Sequence, residues 1–270
     1  MRIAILGCGP SGLVAAHAAM MHGGGHEINI FSRKEKSPIY GAQYLHQPIP
    51  GVGGIFASPR VIRYVMLGGP EQYLKKVYGD AWDGTISDDL RDQAHLAWDI
   101  RAAYDDLWHR YSDLITPVEF PKAPDAKRAA IARLRDDADL VINTIPRPTL
   151  CLLPQHHAFV STPIWALGDS PGRAVPYQAE VDIIKYNGEP EPTWYRISNM
   201  YGYTTVEWPG HIARPPVQGV ARVRKPLSHN CDCFPGIVHL GRMGRWQNGR
   251  LVHHVFADTI EQLMLKEQGA

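Results

Sequence analysis

The stretch that decides the fold is RIAILGCGPSGLVAAHAAMMHGGGHEINIFSRK, residues 2–34. Arg2 to Leu6 is a short apolar run, the pattern of a buried parallel strand. Ser11 to His22 is alanine-rich, with small residues for a packing face, and reads as a helix. Gly23-Gly24-Gly25 turns the chain, and Glu27 to Phe31 is a second strand. This is a βαβ opening, and Gly7, Gly9 and Gly12 fit G-x-G-x-x-G within it. The first glycine allows a tight turn. The second lets backbone approach a pyrophosphate, and the third lets helix and strand pack closely. Pro10 and Ser11 open the helix, whose free N–H groups and positive dipole end favour phosphate.

Dinucleotide sites usually place Asp or Glu at the end of the second strand, on ribose hydroxyls. Here the chain has Ser32-Arg33-Lys34. Two readings follow. NADP carries a ribose phosphate that attracts Arg33 and Lys34. FAD is also compatible, with Ser32 or a neighbour contacting the adenosine ribose less tightly.

Working outward, residues 35–59 are rich in Pro and Gly and read as a long loop over the carboxyl edge of the sheet. From Pro70 to Leu114 the spacing is helical. Leu96, Ile100, Tyr104, Leu107 and Tyr111 recur every three or four residues. Residues 59–126 are therefore expected to be a helical insertion outside the nucleotide-binding sheet. AKRAAIARLRDDADLVINTIP, residues 126–146, reads as a helix leading into a buried strand at Leu140 to Thr144. Residues 155–229 hold short alternating segments and read as a small β-rich lobe. The C-terminal piece reads as strand, loop and helix. The expected class is α/β: a discontinuous Rossmann-like domain over 1–58, 127–154 and 230–270, with the two insertions between its parts.

Composition is that of a globular protein, 44% hydrophobic and 20% charged, with a formal charge of +1. That balance argues against a protein that coats nucleic acid. The cysteines are Cys8, Cys151, Cys231 and Cys233. They make no disulfide framework and no C-x-x-C, which points to a reducing, cytoplasmic setting. Cys231 and Cys233 with His229 resemble part of a metal site, but no second pair appears in the sequence, so no metal is expected. No run is long enough to span a membrane. The glycine loop also breaks the N-terminal apolar run that could pass for a signal peptide.

AILGCGPSGLVAA (residues 4–16) resembles the N-terminus of FAD-binding enzymes of the glutathione-reductase-type superfamily. DADLVINTIP resembles a late strand of that fold. IVHLGRMGRWQNGRLVHHVFADTIEQL resembles its closing strand, loop and helix. Within that piece, Gly241-Arg242 is most similar to UDP-galactopyranose mutase and amine-oxidase-like members. The resemblance implies bound FAD. Gly241, Arg242 and Leu251 would then lie where the closing segment approaches flavin and phosphates, with Arg242 on the pyrophosphate.

The loop IYGAQYLHQPIPG (residues 39–51) follows the second strand, where related folds bring residues over the flavin ring. Gln43 is placed beside the cofactor. Tyr44 and His46 are candidates for catalysis, His46 because its intrinsic pKa is near neutral. Arg196 and Tyr201, in a strand-like segment, are candidates for lining a substrate cavity, from different faces or across a bend. Basic residues are dense from Arg196 to Arg250, and Arg suits phosphate and carboxylate bidentately. This suggests a small anionic or nucleotide-like substrate, or a local contact with nucleic acid. Three functions are compatible: an FAD-dependent oxidoreductase; a non-redox flavin isomerase or mutase acting on a sugar nucleotide or modified nucleobase; and an NADP-binding reductase without flavin. No second glycine loop is visible, so the electron donor or acceptor binds transiently or belongs to a partner.

Overall fold

The structure, a computed structural model, describes residues 1–41, 43–52, 58–81, 90, 94–168 and 180–269. Strand β1 (Arg2–Leu6) is central. It is buried from Ile3 onward and pairs in parallel with β2 (Glu27–Ser32) and β6 (Leu140–Asn143). Strand β12 (Val238–His239) extends the sheet beyond β6, and β5 (Ile115–Pro117) extends it beyond β2. The order is β12-β6-β1-β2-β5, all parallel.

Helix α1 (Pro10–Met21) starts at Gly9, with Pro10 in its first turn, and its residues Leu13 to Ala19 are buried all round. It is enclosed because three elements cover it. The sheet is one. Helix α3 (Ile100–Tyr111) contributes Tyr104 and Leu107, and helix α7 (His254–Glu267) contributes Val255 and Leu263. His17 crosslinks this layer: its ring nitrogens meet the Tyr111 hydroxyl and the Pro50 carbonyl, each at 2.7 Å. Helix α4 (Pro124–Asp137) covers the opposite face, with Ile131 against Ala4, Leu6 and Val141. A parallel sheet with helices on both faces is the α/β arrangement the opening motif implied. No helix among the described residues is long and apolar enough to cross a membrane.

The second sheet joins β3 (Arg60–Leu67), β4 (Ala94–Ala97), β7 (Phe159–Leu167), β8 (Ile183–Asn187), β9 (Arg196–Met200), β10 (Tyr203–Pro209) and β11 (Val220–His229). Their order is β11-β7-β10-β9-β8-β3-β4. Pairing is antiparallel except between β3 and β8. Helix α2 (Pro70–Tyr78) lays Tyr73, Leu74 and Val77 on one face of this sheet. Short helix α5 (Arg147–Leu150) lies where the chain crosses from the first sheet to the second, and α6 (Gly241–Arg245) follows β12.

The expected helical insertion over 59–126 is corrected. Its helices α2 and α3 exist, but β3 and β4 belong to the second sheet, and β5 is an edge strand of the first. The apolar spacing misled at Leu96, which is 52% exposed on β4. There the working period is two: Ala97 is buried and His95 stacks on Tyr64. The helix begins only at Asp99, whose side chain caps it by accepting from the Arg101 backbone N–H at 2.8 Å. The β-rich lobe is thus larger than 155–229, because β3 and β4 complete it.

Candidate functional site

The glycine loop shapes a cleft of about 660 Å³ at the carboxyl end of the parallel sheet. Gly7 has φ +104°, a conformation that favours glycine. A Cβ on Gly12 would collide with the Gly7 carbonyl, so α1 approaches β1 as closely as backbone allows. A Cβ on Gly9 would meet nothing within 4 Å and would stand in open space. Gly9 through Gly12, Ser32 and Arg33 all line the cleft. The Cys8 thiol donates to Ser32 Oγ at 3.1 Å, which fixes the end of β2 against the loop. Lys122, Thr144 and Thr149 line the cleft too, with Thr144 directly against Gly7 and Gly12. Glu119 lines the cleft as well, so one acid is near although Ser32 is not one.

Gly241 packs against Ser11, and a Cβ there would press on the serine side chain. Met243, also on α6, reaches the cleft. Arg242 does not line it. Its guanidinium faces the second sheet, where Tyr78, Arg196 and Glu207 act on it electrostatically. The placement of Arg242 on a pyrophosphate is therefore corrected: successive residues of a short helix point to different sides. Arg242 donates to Asn248 Oδ1 at 3.3 Å, and its buried Nε has no hydrogen-bond partner. Leu251 is half-buried in the turn before α7, with its N–H donating to His254 Nδ1 at 3.3 Å.

Beside Arg242 lies a charge cluster on one face of the second sheet. Glu207, on β10, is 1% exposed. It accepts from the Arg196 guanidinium, from Lys225 Nζ at 2.9 Å and from the Tyr195 hydroxyl at 2.5 Å. Burial alone would raise its pKa, but the two cations hold the carboxyl well below its usual range. Lys225 moves the other way. Burial and the neighbouring guanidiniums bring it down to about 7, against the pull of Glu207. Arg196 stays firmly charged because Glu207 outweighs its burial. Its fork is engaged by Glu207, so the expectation that it grips a substrate is corrected.

Tyr201 is not brought to Arg196. The tyrosine follows the far end of β9, its hydroxyl donates to the Ala97 carbonyl, and Arg60 sits 4.9 Å above its ring. The basic C-terminal half does not form one face either. Arg196, Lys225 and Arg242 gather around Glu207, whereas Arg222 lies over Trp165, Arg224 bonds Ser161, and Arg245 pairs with Asp258. That dispersal gives nucleic-acid contact no support.

The loop from Ile39 runs between the two sheets. Gly41 bonds Leu167 and abuts Glu207, and Leu45 bridges to Trp98. Buried Arg101 donates to the Gly41 and Gln43 carbonyls at 3.4 and 3.3 Å, tying the loop to α3. Gln43 folds back on the Tyr40 carbonyl at 2.7 Å and does not line the glycine cleft. The rings of Tyr44 and His46 stack at 4.5 Å, and His46 lies 5.7 Å from His253. Burial and the adjacent histidines lower His253 to about 4, and its buried Nδ1 has no partner.

Sequence reading missed Lys225, Glu207, His253 and Arg101 as site residues. The only signal was the strand alternation of β11, which sets Lys225 apart from Arg222 and Arg224. Sequence reading also missed a group of cysteines. His229 accepts from the Cys231 backbone N–H at 3.0 Å, whereas Cys151 and His157 supply the second pair that the linear spacing lacked.

This arrangement, a helix-covered parallel sheet with a glycine loop at its carboxyl edge and a second large sheet, is similar in fold to several solved flavin enzymes. BrvH, a flavin-dependent halogenase from Brevundimonas sp. BAL3, matches over 98% of this chain and 71% of its own, with a TM-score of 0.54 at 11% identity. A single-residue variant of HpxO from Klebsiella pneumoniae, complexed with FAD, matches over 99% and 81%, with a TM-score of 0.53 at 12% identity. The tetrameric form of 2-methyl-3-hydroxypyridine-5-carboxylic acid oxygenase matches over 98% and 87%, with a TM-score of 0.50 at 12% identity. No family model and no curated protein matches the sequence. The similarity of Gly241-Arg242 to UDP-galactopyranose mutase is not shown by these neighbours.

Proposed function

We propose that the protein is an FAD-dependent oxidoreductase acting on a small anionic or nucleotide-like substrate. The observation that carries this reading is the glycine-loop cleft, where Gly12 is closed by backbone while Gly9 faces open space. That combination fits a pyrophosphate laid across the loop. Gly7, Gly9, Pro10, Ser11 and Gly12 hold the phosphates. Ser32 and Arg33 meet the adenosine end, and Gly241 packs against Ser11 at the start of α1. Bound FAD supplies hydride and electron transfer.

The chain's own residues then orient the substrate and move protons. Arg242, with a buried unpartnered Nε, receives an anionic group of the substrate. Glu207 stays ionised and fixes Arg196 and Lys225. Lys225 is held on Glu207 by its 2.9 Å bond, while burial pulls its pKa down to about 7. His46, stacked on Tyr44 and 5.7 Å from the neutral His253, is the candidate for proton transfer.

A second reading, NADP in the same cleft, is favoured by Arg33 and Lys122, which both line it. The test follows the absorbance of the bound flavin without air. Bleaching by NADH, NADPH or reduced free flavin, with the colour restored by oxygen, supports the oxidoreductase. Colourless protein that binds NADPH selects the second reading. Turnover of a sugar nucleotide with no net flavin reduction selects an isomerase.

A further inference from the structure

Cys151 follows α5, His157 precedes β7, and Cys231 and Cys233 follow β11. The pairing of β7 with β11 brings these loops together, with Phe159 opposite His229 at the end of the ladder. One residue further, the Ala158 N–H donates to Asn230 Oδ1 at 2.8 Å. Arg147 donates to the Cys231 carbonyl at 2.7 Å, and Lys127 to the Cys151 carbonyl at 2.9 Å. These bonds fix the loops through backbone groups and leave the sulfurs and the imidazole to face one another.

Three sulfurs and one histidine nitrogen lie within 4.8 Å of one another. Cys151 and Cys233 Sγ are 3.7 Å apart. A disulfide needs about 2.05 Å. Two thiolates on a tetrahedral zinc, each about 2.3 Å from the metal, lie about 3.8 Å apart. The same geometry places a ligating nitrogen about 3.5 Å from each sulfur. His157 Nδ1 is 3.6 Å from Cys233 Sγ and 3.1 Å from Cys151 Sγ. A single disulfide would leave a thiol over, whereas a tetrahedral metal uses all four groups. Soft thiolates with an imidazole select zinc over magnesium or calcium.

We propose that Cys151, His157, Cys231 and Cys233 bind one zinc ion in a closed structural site. All four ligands come from the chain, so no position is left for water or substrate, and the role is to hold parts together. The ion would clip α5 to the end of β11. Thr149 of α5 lines the glycine cleft, so the clip also steadies one wall of that cleft.

The test is metal analysis of the full chain purified without chelators from zinc-supplemented cells. About one zinc per chain is expected. Cys233→Ser and His157→Ala, both at half-buried positions, should drop zinc to background and lower the melting temperature. Should the variants fail to fold, wild-type protein exchanged with cobalt(II) decides instead. The intense visible bands of a tetrahedral thiolate site are expected. Zinc far below one per chain together with no such bands would overturn the proposal. So would a Cys151–Cys233 disulfide in protein prepared without air.

Discussion

Gly9 and Gly12 sit in one loop under opposite demands. Gly12→Ala forces a methyl group into the Gly7 carbonyl, so it should destabilise the fold by about 1–3 kcal/mol, read by denaturant unfolding. Gly9→Val places its side chain in open space, so stability should change by no more than about 0.5 kcal/mol while FAD binding is lost. A Gly9→Val protein that keeps its flavin would move the site elsewhere. Glu207 is the other decisive residue. Glu207→Gln leaves Arg196 and Lys225 buried without their counter-charge, at a cost of about 3–5 kcal/mol. Lys225 should titrate near pH 7 by nitrogen-15 NMR. Its folded pKa lies below the unfolded value of 10.5, so the unfolded chain binds more protons between those values. The lysine's contribution to stability therefore rises with pH across that window, and Lys225→Met should remove the rise. The glycines were legible because their spacing is local. The Glu207 cluster was not, because its members come from separate strands of a sheet whose order the linear chain does not state.

At the scale of elements, α1, β1 and β6 were readable from runs of apolar residues that are mostly buried, and β2 from the buried Ile28 and Ile30. Strands β4 and β5 were not. β4 spans four residues inside a stretch whose leucine and isoleucine fit a helical period, and β5 spans three. Only the Asp99 cap marks where helix truly starts, and Asp99→Ala should cost about 1 kcal/mol. The meeting of loop 39–51 with the start of α7 was equally invisible, since it joins opposite ends of the chain. That junction places His46 beside His253. His46→Ala should slow turnover by about a hundredfold while leaving FAD bound. Steady-state kinetics on flavin-loaded protein would check this, and unchanged turnover would reduce His46 to a packing partner of Tyr44.

For the whole molecule, the chain leaves its first sheet and returns to it more than once. β5 and β12 are each added after an excursion through strands of the second sheet. The glycine cleft lies on the first sheet, whereas Glu207 lies on the second and the loop from Ile39 bonds to it at Leu167. Sequence alone suggested a discontinuous nucleotide-binding domain, because the glycine loop and the closing segment each carry a recognisable local pattern. It could not apportion residues 59–126 between the sheets, because strand partners there are set by tertiary pairing. The central claim is that the glycine cleft binds FAD. Equilibrium titration of flavin-free protein with FAD, followed by quenching of flavin fluorescence, tests it most directly. One FAD should bind per chain, noncovalently, to wild type and Lys225→Met, and none to folded Gly9→Val. Equal FAD binding by Gly9→Val, or no FAD binding by folded wild type, would contradict the account.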